Sequence, residues 1–176
     1  GGSLASTIRA AKTTPSAVES PFASAKNRRQ AGPMSALAQA SGPVVAIGLS
    51  MGGYVALEMA RLAPDRVVGM ALLSTGYKQD TADKRHQRLA TIKLAQSDKF
   101  RGVTHRLLGA FLAPEAMADD ALVARVIQMA QDVGRHAFVT QQTAILGRND
   151  QSATLAAFAG EITILCGMLD ELTPPH

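Results

Sequence analysis

The sequence has no tryptophan, one cysteine and only 4% aromatic residues. A lone cysteine, Cys166, cannot close a disulfide within the chain or complete a zinc knuckle, which points to a reducing, cytoplasmic setting. Its place in an apolar run reads as that of a small buried hydrophobe. Nowhere do apolar residues run unbroken for the roughly 18 positions that a membrane-spanning helix needs, so no membrane partner is expected. The 4 histidines are scattered, with no metal-ligand spacing, so no metal or other cofactor is expected. Acidic residues are scarce in one region. Residues 1–40 hold Glu19 alone against Arg9, Lys12, Lys26, Arg28 and Arg29, and the rest of the chain is balanced. The net charge of +4 therefore belongs to this segment, and no nucleic-acid partner is implied. The same stretch has weak apolar periodicity and is interrupted by Pro15, Pro21 and Pro33. It reads as an irregular or disordered basic leader over residues 1–40, with a transit peptide as the alternative. A short helix over residues 33–40 would lead into the first strand. The chain opens on Gly-Gly without an initiator methionine, as a fragment or processed product would.

What is present is organised around residues 44–53, Val-Val-Ala-Ile-Gly-Leu-Ser-Met-Gly-Gly. A run of apolar, β-branched residues of strand type stops at Gly-x-Ser-x-Gly-Gly, and a helical pattern begins at once. This is the sequence form of a nucleophile elbow. A serine on so sharp a turn must adopt strained backbone angles, and Gly48 and Gly52, two positions to either side, are expected to be needed for their missing Cβ. The turn would lift the Ser50 hydroxyl out of the sheet at a helix N-terminus, where free N–H groups favour developing negative charge. The N–H of Met51 would be one oxyanion donor. The bland alternative is a glycine-rich turn with a solvated serine. A dinucleotide turn would need Gly-x-Gly-x-x-Gly and a P-loop Gly-Lys-Ser/Thr, and neither occurs.

Apolar content of 47% with 18% charge over 176 residues suits one globular α/β domain. Residues 44–49 and 67–73 read as strands buried on both faces of a parallel sheet. The helix between them, residues 51–63, is stopped by Pro64. Residues 77–150 read as helical: a polar stretch over 80–96, a short apolar helix over 103–112 halted by Pro114, then a helix capped by Asp119 or Asp120 and broken by Gly134. A third strand covers residues 162–166. Asp170 lies just past its carboxyl end, where open α/β sheets put their chemistry.

Residues 48–67, Gly-Leu-Ser-Met-Gly-Gly-Tyr-Val-Ala-Leu-Glu-Met-Ala-Arg-Leu-Ala-Pro-Asp-Arg-Val, resemble the elbow, its helix and the next strand of the α/β-hydrolase superfamily. The likeness is closest to the small carboxylesterase-like branch that includes pimeloyl-carrier-protein methyl ester esterases. It is dense over residues 44–75 and 161–175, and is not seen before about residue 40. The pattern Gly-x-x-Asp-x-x-Thr-Pro-Pro from Gly167 resembles the family's acid loop. The resemblance implies a partial α/β-hydrolase fold: a parallel sheet remnant of about three strands, with a helical cap at about residues 77–150 shaping an acyl pocket. It implies Ser50 as nucleophile, Met51 as oxyanion donor, Gly48, Gly52 and Gly53 as elbow glycines, and Asp170 as the carboxylate that orients a histidine. It also implies a small-molecule ester as substrate, and no cofactor.

The family's base lies past one further strand. His86, His105 and His136 precede Asp170, and His176 matches a position in the acid loop rather than the base. The family's first strands, with their His-Gly-type loop, are missing as well. Loss of the base from a serine triad lowers turnover on the order of a million-fold, so the 176 residues alone are expected to be nearly inactive. The rival expectations are a non-catalytic hydrolase-fold remnant with a binding role, or a lactonase, carbon–carbon hydrolase, acyltransferase or perhydrolase on the same elbow. The sequence leaves the oligomeric state open.

Overall fold

The structure, a computed structural model, describes residues 25–97 and 105–175. Its elements in chain order are α1 (Ala25–Ala38), β1 (Val44–Leu49), α2 (Met51–Leu62), β2 (Val67–Leu73), α3 (Ala82–Ala95), α4 (His105–Leu108), a 3-10 turn (Pro114–Ala118), α5 (Asp120–Leu146), α6 (Ser152–Ala157) and β3 (Glu161–Leu165). The strands form one parallel sheet in the order β1-β2-β3. This is the expected partial α/β-hydrolase architecture, with helices inserted between β2 and β3.

Alternation along β1 decides where the core sits. Ala46 and Gly48 pair with Met70 and Leu72 of β2 and face Ala56, Leu57 and Ala60 of α2. Small side chains on both surfaces let the helix lie close to the sheet. Leu57 is 1% exposed, and burial of a leucine contributes about 2 kcal/mol. Leu37 of α1, Leu155 of α6 and Ile162 of β3 complete this cluster.

The strands are not buried on both faces, as their unbroken apolar runs suggested. Val45, Ile47 and Leu49 alternate with the core residues and are largely exposed, as are Ile164 and Leu165 of β3. Among the described residues the cluster with α1, α2 and α6 lies on the Ala46–Met70 face. Among the described residues β1 and β3 are the edge strands, and an edge left unpaired is an aggregation hazard.

The expected irregular leader is corrected over part of its length. Residues 25–38 are helical; residues 1–24 lie outside the described residues. The expected short helix at residues 33–40 is there but starts earlier. Tertiary contacts support it rather than local periodicity. Leu37 is buried against the sheet. The Arg66 guanidinium donates to the carbonyls of Leu37 at 3.3 Å, Ala40 at 2.7 Å and Gly42 at 3.0 Å, which satisfies groups that a helix end leaves unpaired.

The insertion leaves and rejoins the sheet at one clamped point. Asp80 accepts from Arg88 Nε at 2.8 Å and pairs with Arg148 Nη2 at 2.9 Å. Arg148 also donates to the Lys78 carbonyl and lies 4.5 Å from the Tyr54 ring centroid of α2. Glu58 of α2 is buried and accepts from Gln151 Nε2 at 2.7 Å, from Asn149 and from its neighbour Arg61. Desolvation pushes the Asp80 carboxyl up, but hydrogen bonds and charge from Arg88 and Arg148 outweigh it and hold the group below its ordinary value. As expected, α5 is interrupted at Gly134, whose φ is 74°, and Asp119 caps it by accepting from Leu122 N–H at 3.0 Å.

Candidate active site

Leu49, Leu73 and Leu165 are register partners across the sheet. Residues 50, 74 and 166 therefore leave the strands side by side, at the carboxyl edge. Ser50 N–H donates to Leu73 O at 2.9 Å, and Ser74 N–H donates to Leu165 O at 2.8 Å. The edge is thus stitched across all three strands one residue beyond their ends.

Ser50 has φ 51° and ψ −115°. A side-chain-bearing residue with positive φ is uncommon, and strain of this kind is of order 1–3 kcal/mol. The residue sits where a helix N-cap would sit, yet its hydroxyl makes no capping bond, and it is exposed. Met51 is the first residue of α2, a position whose N–H has no partner within the helix.

The glycines divide differently from expectation. A Cβ on Gly48 would lie 2.3 Å from the carbonyl carbon and oxygen of Gly52 and 2.5 Å from Gly53 N. One on Gly52 would meet nothing within 4 Å, so the steric demand expected there is absent. The second close approach belongs to Gly53, whose Cβ would come within 2.4 Å of Thr75 Cγ2 and Oγ1.

Asp170 lies beyond β3 at the same edge. Its Oδ1 accepts from the N–H groups of Leu172 at 3.0 Å and Thr173 at 2.8 Å, and its Oδ2 accepts from Thr173 Oγ1 at 2.7 Å. Desolvation pushes this carboxyl up, but the bonds from Thr173 and Leu172 prevail and hold it below its ordinary value.

Cys166 is not a fully buried hydrophobe inside the strand. β3 ends at Leu165, which leaves the thiol half-buried in the acid loop. It donates to the Thr173 carbonyl at 3.0 Å and lies 3.8 Å from Asp170 Oδ2. Burial and the Asp170 charge push it up.

No histidine is among the partners of Asp170 within the described residues. His86 on α3 and His136 on α5 are exposed. His105 opens α4, and His176 lies outside the described residues. Two cavities flank the region. One of about 210 Å³ runs along α2 from Met51 past Tyr54 to Glu58, closed by Ile145 and Arg148. The other, of about 540 Å³, lies between Met168, Leu169 and Asp170 and the inserted residues Leu112, Pro114 and Met117.

Against this geometry, a family profile described as Alpha/beta hydrolase family matches residues 12–175. The chain belongs to the alpha/beta hydrolase family. The match begins at residue 12, well before the residue near 40 at which the resemblance was expected to start. Solved structures similar to this hydrolase-family chain include a thermophilic esterase from Thermogutta terrifontis, at 24% identity and a TM-score of 0.67 over 83% of this chain. A hydrolase from Pseudomonas aeruginosa PA01 matches at 22% identity and a TM-score of 0.65 over 86%. These matches span 54% and 56% of those chains, so this chain covers about half the length of the structures it resembles. At such identities they establish the fold alone. Among the curated proteins none matches this sequence.

Sequence reasoning passed over two residues at the edge where this family member's candidate site lies. Ser74 and Thr75 come directly after β2, and the cue was a Ser-Thr pair ending an apolar run at the edge where chemistry gathers.

Proposed function

We propose that this protein is a serine hydrolase of carboxylic esters working through an acyl-enzyme on Ser50. The observation that carries the reading is the Ser50 backbone, at φ 51° on a turn between β1 and α2, with the hydroxyl exposed and free of any capping bond. Strain retained at a solvent-facing hydroxyl is characteristic of a functional site. Membership of the alpha/beta hydrolase family and the fold shared with esterases lend further support.

In the proposed reaction a histidine takes the Ser50 proton as Oγ bonds to the acyl carbon. The carbonyl π electrons move onto oxygen, and the Met51 N–H stabilises that oxyanion. One such donor contributes about 10²–10³ in turnover. Collapse expels the alcohol, which takes the proton from the imidazolium. Water, deprotonated by the same histidine, then releases the acid and restores Ser50. Asp170, held ionised by its donors, orients the ring and stabilises its cationic form. The histidine is assigned outside the described residues, since none within them reaches Asp170. The helices between β2 and β3 are read as a cap. The cavity of about 540 Å³ between Asp170 and residues 112–117 supports that reading. The unpaired Cys166 accords with a cytoplasmic location.

A fluorophosphonate probe tests the proposal. In a longer protein that supplies the histidine it should label Ser50 and fail on Ser50→Ala; equal labelling of the two would refute the assignment. The lack of a histidine beside Asp170 favours a second reading, a hydrolase-fold protein that binds without turnover. Ester hydrolysis above that of Ser50→Ala would dismiss it.

A further inference from the structure

The cavity beside Met51 is walled by separate parts of the chain. Met51, Tyr54 and Val55 come from the first turns of α2, Tyr77 from the stretch after β2, and Ala144 and Ile145 from the end of α5. Charged side chains also reach the wall, but they are committed elsewhere. Glu58 accepts from Arg61, Asn149 and Gln151. Arg148 pairs with Asp80, donates to the Lys78 carbonyl and lies against the Tyr54 ring. Thr140 turns its hydroxyl to the His136 carbonyl. What is left to meet a ligand is apolar surface with a few neutral polar groups: the hydroxyls of Tyr54 and Tyr77 and the Gln141 carboxamide, for which no hydrogen bond is found among the described residues. Such a wall suits an uncharged ligand. A carboxylate, phosphate or ammonium group entering it would lose water and gain no free partner of opposite sign. Size narrows the ligand further. An apolar cavity of about 150 Å³ holds a benzene molecule, so the one of about 210 Å³ here has room for roughly eight carbon atoms.

We propose that this cavity binds the acyl part of the substrate, a neutral chain of up to roughly eight carbon atoms, and that Val55 and Ala144, one from each side of the wall, limit its length. The inference rests on the reading of Ser50 as nucleophile. Met51 joins the two: its N–H is the assigned oxyanion donor, and its residue lines the cavity. A chain that starts at the acyl carbon therefore enters beside Met51 and runs along α2 past Tyr54. Acyl groups that end in a charge are excluded, because the only charged side chains on the wall already hold one another or other protein groups.

Binding tests this without any turnover. The full chain, labelled with carbon-13 in its methionine and isoleucine methyls, is titrated with methyl butanoate, hexanoate, octanoate and decanoate. The Met51 and Ile145 signals should move, while that of Met129, exposed on α5, should stay. Affinity should rise about fourfold per methylene up to the octanoate and then level off. Monomethyl adipate has the length of the hexanoate but ends in a carboxylate, and should bind more weakly than methyl hexanoate by about tenfold or more. Val55→Phe should lose the Met51 shift, and Ser50→Ala should bind as the wild type does. A Met51 signal that never moves, a rise that continues to the decanoate, equal affinities for the neutral and charged esters, or unchanged binding in Val55→Phe would each overturn the proposal. If Val55→Phe does not fold, Ala144→Phe is held to the same outcome. Because the titration needs no hydroxyl at residue 50, the two readings fail separately. Esters that bind as expected, with Ser50 shown not to be acylated in a longer protein, would leave the cavity as a site for neutral apolar chains and remove only the nucleophile.

Discussion

Replacing Gly48 or Gly52 with alanine makes the same chemical change in the same turn, and the structure assigns the two opposite signs. The new Cβ at residue 48 would lie 2.3 Å from the Gly52 carbonyl carbon and oxygen and 2.5 Å from Gly53 N. All three are backbone atoms in the first turn of α2, so no rotamer can relieve the clash; the helix must move off the strand. Overpacking generally costs about 1–3 kcal/mol. With three backbone contacts this short, we expect about 3 kcal/mol or more for Gly48→Ala. At residue 52 the Cβ meets nothing within 4 Å, and alanine is preferred over glycine in a helix by up to about 1 kcal/mol. Gly52→Ala should therefore stabilise by about 0.5–1 kcal/mol. The gap approaches 4 kcal/mol, close to a thousandfold in the folding equilibrium at about 1.4 kcal/mol per decade. Urea unfolding of the full chain, monitored by far-ultraviolet circular dichroism, reads both. With a slope near 2 kcal/mol per molar, the midpoint should fall by about 1.5 M for Gly48→Ala and rise by a few tenths molar for Gly52→Ala. Equal losses at both positions, or an unchanged midpoint for Gly48→Ala, would refute the steric argument.

Three other outcomes are expected from the same geometry. Asp80→Ala leaves Arg88 and Arg148 without their shared carboxylate and should destabilise by about 3 kcal/mol, measured in the same unfolding experiment. Because the folded-state value of Asp80 lies below its ordinary 3.8, its contribution is fully present above about pH 4 and is lost as pH falls through the depressed value; acid titration of wild type against Asp80→Ala should show the difference between them closing in that window. Ser74→Gly should be more stable than Ser74→Ala by about 1 kcal/mol, because both lack the hydroxyl but only alanine retains the strain at φ 40°; equal stabilities would mean the turn relaxes.

Much of the site's frame was legible in the sequence. Residues 44–49 and 67–73 match β1 and β2 residue for residue, since β-branched runs bounded by glycine, proline and serine leave little alternative. The elbow could be read because a serine between glycines, with a strand before and a helix after, is a local pattern. Gly134 could be read as a break for the same reason. The open face of β1 could not: Val45 and Ala46 are equally apolar, and only the side taken by α2 separates them. The helical character of residues 25–38 was also hidden, because it depends on Leu37 reaching the sheet and on Arg66, far along the chain, satisfying the helix end.

By itself, then, the sequence determined which residues make strands, where the turn with Ser50 falls, and that Asp170 comes after the last strand. These are consequences of backbone preference within a few residues. The tertiary structure alone decided that Gly48 and Gly53, not Gly52, are sterically fixed, that Thr75 bonds the carbonyl of Ser50, and that Asp80 ties the two ends of the insertion together. Each of those depends on which atoms the strand register and helix packing bring within a few ångströms of each other, and no local pattern contains that distance.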